Sequence, residues 1–256
     1  ASDWSSDVCS SDLYHVGEVH ALLGENGAGK STTMNIITGY LSSTSGSVKV
    51  NGHDILEEPE EAKRCIGYLP ELPPLYLDMT VLEYLNFVCD LKGVKKDIRK
   101  KQLAKILSMV KIVDVADRLI GNLSKGYKQR VGIAQALVGD PEILILDEPT
   151  VGLDPNQILE IRKLIRNLAK DHTVILSSHI LSEIQAVCDR VVIINKGKLA
   201  AVSSITDLSS KLRNGDIWVE QGEIAGCSGG TFESICACPS RATSRMLRMP
   251  SSLFPE

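Results

Sequence analysis

Gly24-Glu25-Asn26-Gly27-Ala28-Gly29-Lys30-Ser31-Thr32 is the stretch that decides how this chain reads. Its fixed positions fit G-x-x-x-x-G-K-[ST], a pattern that chance produces about once in a hundred chains of this length. Gly17 to Leu23 ahead of it is a short apolar strand, and Lys30 to Tyr40 behind it is compatible with a helix. Strand, glycine loop and helix together make a phosphate-binding arrangement. Glycines let backbone N–H groups turn inward around phosphate oxygens, and the helix aims its positive end at them. On this reading Gly24, Asn26, Gly27, Ala28, Gly29 and Thr32 cradle the phosphates. Lys30 neutralises the β and γ phosphates, and the Ser31 hydroxyl reaches Mg²⁺.

A second motif lies downstream in Ile143-Leu144-Ile145-Leu146-Asp147-Glu148-Pro149-Thr150. Four apolar residues form a strand whose C-terminal end is where ligands collect in open α/β sheets. Asp147 would hold Mg²⁺ through its water shell, because that ion takes one or two carboxylates and keeps several waters. Glu148 would act as general base towards an in-line water. Two acids after an apolar strand are also a common way to leave a sheet, and taken alone they favour that plainer reading.

Around these motifs the pattern alternates strands and helices. Ser47 to Asp54, with Asn51-Gly52, predicts a hairpin with a tight turn. Thr80 through Lys92 and Ile98 through Val110 carry helical spacing, with Leu103, Ile106, Leu107 and Val110 on one stripe. Pro155 to Lys170 predicts an amphipathic helix and Val174 to Ser178 a strand; Val191 to Ile194 and Lys198 to Val202 predict a hairpin about Lys196-Gly197. The basic run Lys95, Lys96, Arg99, Lys100 and Lys101 reads as a solvated helix face. The sum is an α/β core with a mostly parallel sheet, a small antiparallel β portion and an inserted helical block.

Composition narrows the function. The 256 residues are 43% hydrophobic and 23% charged, with 28 Lys and Arg against 32 Asp and Glu for a formal charge of −4. That balance disfavours a nucleic-acid protein driven by net charge. No apolar run approaches the roughly 18 residues that cross a bilayer, so a membrane role has to come through a partner. Seven scattered cysteines do not make a disulfide scaffold and suggest a reduced, intracellular setting. Cys65, Cys89 and Cys188 read as small core residues.

Between the two motifs lies Leu123-Ser124-Lys125-Gly126-Tyr127-Lys128-Gln129-Arg130, which resembles the signature motif of the ABC transporter ATPases. Gly152-Leu153-Asp154-Pro155 is similar to that family's D-loop, and Ser177-Ser178-His179 to its H-switch. YLPELPPLY and LSKGYKQR further resemble the ATPase subunits of bacterial drug, polysaccharide and gliding-motility exporters. The resemblance implies a P-loop NTPase fold and ATP hydrolysis, with ATP and Mg²⁺ as ligands. It also implies a head-to-tail homo- or heterodimer, in which the phosphate loop of one subunit faces Ser124 and Gly126 of the other; Asp154 of the D-loop joins them as a nucleotide-binding residue. His179 would touch the γ-phosphate and position Glu148. Glu71 stands where the family usually carries a glutamine, and joins Ser31 and Asp147 as a candidate metal ligand. Lys125 replaces a common glycine and Tyr127 a common glutamine. The partner would be an integral membrane permease, with the segment from Glu71 to about Leu91 passing motion to it, no nucleic acid involved, and the subunit cytoplasmic and peripheral on the inner face of the membrane. The alternatives are a non-transport ABC ATPase working as a nucleotide-switched module, and a fragment with impaired ATP binding.

The ends differ in character from the middle. Residues 1–13, ASDWSSDVCSSDL, hold five serines and no periodic pattern; they read as a non-native segment. Trp4 is the aromatic nearest to where the family stacks adenine, without a strand pattern around it. Residues 14–214 form the ATPase domain, with its helical subdomain at about 78–126. Residues 215–256 read as an atypical tail, disordered or frameshifted, because no lysine follows Lys211 and Cys227, Cys236 and Cys238 crowd together without zinc-ligand spacing.

Overall fold

The computed structural model describes residues 18–44 and 46–208, together with the backbone of two paired two-residue strands, Val219–Glu220 and Met246–Leu247. The expectations for residues 1–13, for Trp4 and for nearly all of 215–256 lie outside the described residues. In chain order the elements are β1 (Val19–Leu23), α1 (Lys30–Ile37), β2 (Lys49–Val50), β3 (His53–Asp54), α2 (Pro59–Arg64) and β4 (Ile66–Leu69). Then follow α3 (Val81–Leu91), α4 (Lys96–Met109), α5 (Lys125–Leu137), β5 (Ile143–Leu146) and α6 (Pro155–Leu168). The last are β6 (Thr173–Ser178), α7 (Leu181–Val187), β7 (Arg190–Asn195) and β8 (Lys198–Ser204).

Six strands pair in the order β4-β5-β6-β1-β7-β8, parallel throughout except for β8, which runs antiparallel to β7. Both faces of this sheet are covered, which is why its strands read as continuous apolar runs. Strand periodicity then divides the side chains. Leu22, Ile145, Ile175 and Val192 point to a cluster with Met34 and Ile37 of α1 and Val50 of β2. Ala21, Leu144, Leu146, Val174 and Leu176 point to the opposite cluster with the buried stripes of α3 to α7. The helical block thus shares one apolar core with the sheet.

Local chemistry sets several boundaries. Thr80 caps α3 in a reciprocal box: its hydroxyl accepts from the N–H of Glu83, whose carboxylate accepts from the N–H of Thr80. Asn51 and Gly52 take positive φ, 50° and 86°, and turn β2 into β3 as expected. α1 ends at Ile37, three residues short of expectation, where Thr38 caps it ahead of Gly39, and α6 stops at Leu168. α2, β4, α5 and α7 were not marked by the periodic pattern. Cys89 and Cys188 are buried as expected, whereas Cys65 is only half-buried at the end of α2.

Candidate functional site

Four loops leave the C-terminal ends of four neighbouring strands, β4, β5, β6 and β1, and converge on one edge of the sheet. They line an open cleft of about 280 Å³ with Glu25, Asn26, Gly27, Gly29, Lys30, Ser31, Thr32, Glu71, Glu148, Val151 and His179. The parallel topology brings these residues together from the two ends of the described chain, as it does in other open α/β sheets.

One wall is the loop between β1 and α1. Gly27 and Gly29 take φ of 81° and 109°, backbone that only glycine adopts without strain, and so let the loop curl around the start of α1. Ala28 is buried, its N–H bonded to the Glu25 carbonyl at 3.0 Å, and its carbonyl accepts from Gly197 at 2.8 Å. Lys30 is 6% exposed, and its Nζ donates to the carbonyls of Gly24 and, at 3.3 Å, Glu25. The ammonium therefore lies across the mouth of the loop rather than in solvent. No acidic residue occupies the first turn of α1, so nothing within the helix neutralises its positive end.

The facing wall carries the carboxylates. Asp147 is 5% exposed at the head of β5, its N–H bonded to Leu69 of β4 at 2.8 Å, and it lies behind the cleft lining rather than in it. Burial, with the Asp147 carboxylate nearby, pushes the Tyr68 phenol up to about 12. Glu148 sits in the left-handed region with φ 46° and faces the cleft. The His179 Nδ1 lies 3.0 and 3.1 Å from the two Glu148 oxygens, so the imidazole holds the carboxylate at both. Ser177, quoted in the sequence only as part of the H-switch, has a structural role of its own: its hydroxyl donates to Asp147 Oδ1 and accepts from the N–H of Glu148. The remaining signal for it is a serine pair ending the apolar strand Val174-Ile175-Leu176.

Ser124, Gly126 and Asp154 stand apart from this cleft. Ser124 is the N-cap of α5 and Asp154 that of α6, accepting from Tyr127 and Gln157 N–H groups respectively. Asp154 thus has a capping bond that its sequence motif did not announce. Gly126 is buried against the Gln157 amide, which approaches within 2.6 Å of where a Cβ would be.

The donor set fits a hard cation in company with phosphates. Ser31, Glu71 and Asp147 offer only oxygen, the ligand type that Mg²⁺ takes. Among the described residues no group of three or more His, Cys, Asp or Glu is placed to hold a metal alone, so phosphate oxygens and water would have to complete the shell.

The family model described as ABC transporter matches residues 10–151. The chain is 43% identical over 185 residues to the bacitracin transport ATP-binding protein of Bacillus licheniformis, covering 72% of this chain and 60% of that one. It spans 66% and 24% of the length of two further relatives, from Bacillus subtilis and Dictyostelium discoideum. Among solved structures it resembles a subunit of a Clostridium perfringens ABC transporter complex, with TM-score 0.72 and 30% identity over 78% of this chain and 82% of that one. It also resembles a dimeric, post-hydrolysis ATP-binding cassette bound to ADP and Pi, with TM-score 0.67 and 26% identity, over 75% of this chain and 87% of that one. With more than half of its residues matched and all four motif loops in place on this sheet, the chain belongs to the ABC transporter family, as an ATP-binding domain.

Proposed function

We propose that the chain binds ATP in this cleft and hydrolyses it, supplying the motion of a transporter whose membrane-spanning part is a separate permease. The observation that carries the reading is the convergence in one cleft of the Lys30 phosphate loop and the Glu148–His179 pair. The glycine loop of residues 24–32 and the start of α1 receive the phosphates, and Lys30 exchanges the Gly24 and Glu25 carbonyls for β and γ phosphate oxygens. Ser31, Asp147 and Glu71 are the residues that would hold Mg²⁺, which when bound offsets phosphate charge. Glu148 takes the proton of the attacking water, and His179 fixes the carboxylate for that transfer. With Nδ1 turned to Glu148, the imidazole presents Nε2 to the γ-phosphate.

Ser124 and Gly126 would meet nucleotide held by a second subunit, since they do not line the cleft of their own. The dimeric neighbour supports that arrangement. Leu72, Tyr76 and Leu77 are exposed between Glu71 and α3, and offer the apolar contact that the permease would cover. The resemblance to a bacitracin transport protein supports a transport role; export as the direction follows from the exporter-like YLPELPPLY and LSKGYKQR, and the inner face of the membrane as the location from the permease partner. Among the described residues no helix is long and apolar enough to cross a membrane.

Phosphate release by the purified full chain, set beside nucleotide affinity, tests the assignment. Lys30→Ala weakens ATP binding itself, while Glu148→Gln keeps binding and loses about 10²–10⁴ in turnover. Turnover in Glu148→Gln close to that of the parent would remove the base from the scheme. Co-purification with RNA or DNA instead of an integral membrane protein would remove the transporter.

A further inference from the structure

Ser177 is a hydroxyl where the core of a sheet ordinarily carries an aliphatic side chain. It is the fifth residue of β6, 0% exposed, in register with Leu22 of the neighbouring β1. A polar group that deep persists when its hydrogen bonds are made, and Ser177 makes two. Its Oγ donates to Asp147 Oδ1 and accepts the backbone N–H of Glu148 at 2.9 Å. One hydroxyl therefore ties together the two consecutive acids at the head of β5.

The second of those acids needs holding. Glu148 has φ 46°, backbone that non-glycine residues avoid and that surrounding structure must impose. His179 grips the far end of its side chain at 3.0 and 3.1 Å, but the carboxylate can only be aimed if the backbone beneath it is fixed as well. The Ser177 bond supplies that fixed point, and the bond to Asp147 Oδ1 orients the adjacent carboxylate through one oxygen. Without the hydroxyl, a buried N–H and a buried carboxylate oxygen lose their partner together, and the turn has reason to relax.

We propose that Ser177 is a positioning residue for Asp147 and Glu148, setting the angle at which Glu148 presents its carboxylate to the cleft. The proposal rests on Glu148 being the base. It makes a separable claim, because the phosphate-binding wall comes from β1 and α1, and Lys30 makes its bonds to Gly24 and Glu25 rather than to Ser177.

The test measures steady-state ATP hydrolysis and metal-free trinitrophenyl-ATP affinity for the full chain and for Ser177→Ala, with Glu148→Gln as reference. The expected result is a kcat at least tenfold lower in Ser177→Ala, the size of loss seen when groups that orient site ligands are removed. The metal-free affinity stays within twofold of the parent, because Asp147 would act on the nucleotide only through the cation. A smaller loss of kcat overturns the proposal. So does a parallel loss of nucleotide affinity, which would mark Ser177 as a packing residue. Hydrolysis that does not depend on Glu148 in the reference overturns the base assignment, and this proposal with it; a Glu148-dependent parent and an unimpaired Ser177→Ala overturn this proposal alone.

Discussion

Gly67→Ala should destabilise the fold more than any other single methyl on β4. Gly67 is the second residue of that strand, in register with Leu144 of β5, and α5 passes directly over it. A Cβ at this position would lie 2.8 Å from Leu144 Cδ2 and 2.8 Å from Pro141 Cγ, and closer still to the Ala136 carbonyl oxygen of α5. Carbon atoms in comfortable contact are about 3.5–4.0 Å apart, so the layers have to open by about 0.7 Å or more. Leu144 can rotate away, but Ala136 O belongs to the last turn of a helix and cannot move without moving α5. Overpacking of this kind costs about 1–3 kcal/mol, and the backbone obstacle argues for the upper half of that range. For a domain of this size each kcal/mol lowers the melting temperature by about 2–4 °C, giving a fall of about 4–12 °C by scanning calorimetry. The bond from Gln135 Nε2 to the Tyr68 carbonyl, 3.3 Å, should lengthen as α5 lifts. A melting temperature within about 1 °C of the parent would rule out the clash, because it would mean that α5 does not rest on β4 at this distance.

Thr150→Val should cost about 1.5–3 kcal/mol, because Thr150 Oγ1 donates at 2.5 Å to Glu183, a buried carboxylate whose other oxygen lies 3.7 Å from Arg162. Denaturant midpoints check it, and the double variant with Glu183→Leu should recover part of the loss. Lys92 caps the end of α5 by donating to Val138 O at 2.9 Å, and burial pushes its ammonium down to about 8. Its folded value lies below the unfolded 10.5, so the unfolded chain binds the extra proton between those values and stability gained from this group rises with pH across that window. Burial holds the Cys188 thiol up at about 12 against 9.0 unfolded, which acts in the opposite direction above pH 9. Melting temperature against pH for the parent and Lys92→Met separates the two: the rise from pH 8 should vanish in the variant, and an unchanged profile would count against the depressed lysine.

The parts of the fold that were readable are those in which one local pattern has one local consequence. β5 was legible because Ile143 to Leu146 face cores on both sides of the sheet, and the turn at Asn51-Gly52 because its φ values demand those residues. β4 was not, for the reason that makes Gly67→Ala costly: the glycine that lets α5 approach also interrupts the apolar run of Ile66 to Leu69. α5 hid for the opposite reason. It is buried nearly all round, with Gln129 and Arg130 inside, the guanidinium bonded to Glu160 and to Val110 O, so no polar face marks its period. In the site, the residues that announce themselves are those that would face a ligand. Ser177 works through acids about thirty positions away, a relation that no window along the chain contains.

The residues outside the cleft are tied to it through packing. Ser124 and Asp154 each cap a helix, and the two helix starts press on one another: Gln157 fills the space beside Gly126, and the Lys125 ammonium lies over Gly152. Lys125, which departs from the family pattern, thus spans from the signature helix to the loop between Glu148 and Asp154. That loop is a short tether, fixed at one end by Ser177 and His179 and at the other by the first turn of α6. The Lys125 contact at Gly152 thus lies only three residues of backbone, Pro149 to Val151, from Glu148, and this link between α5 and the turn does not pass through the sheet.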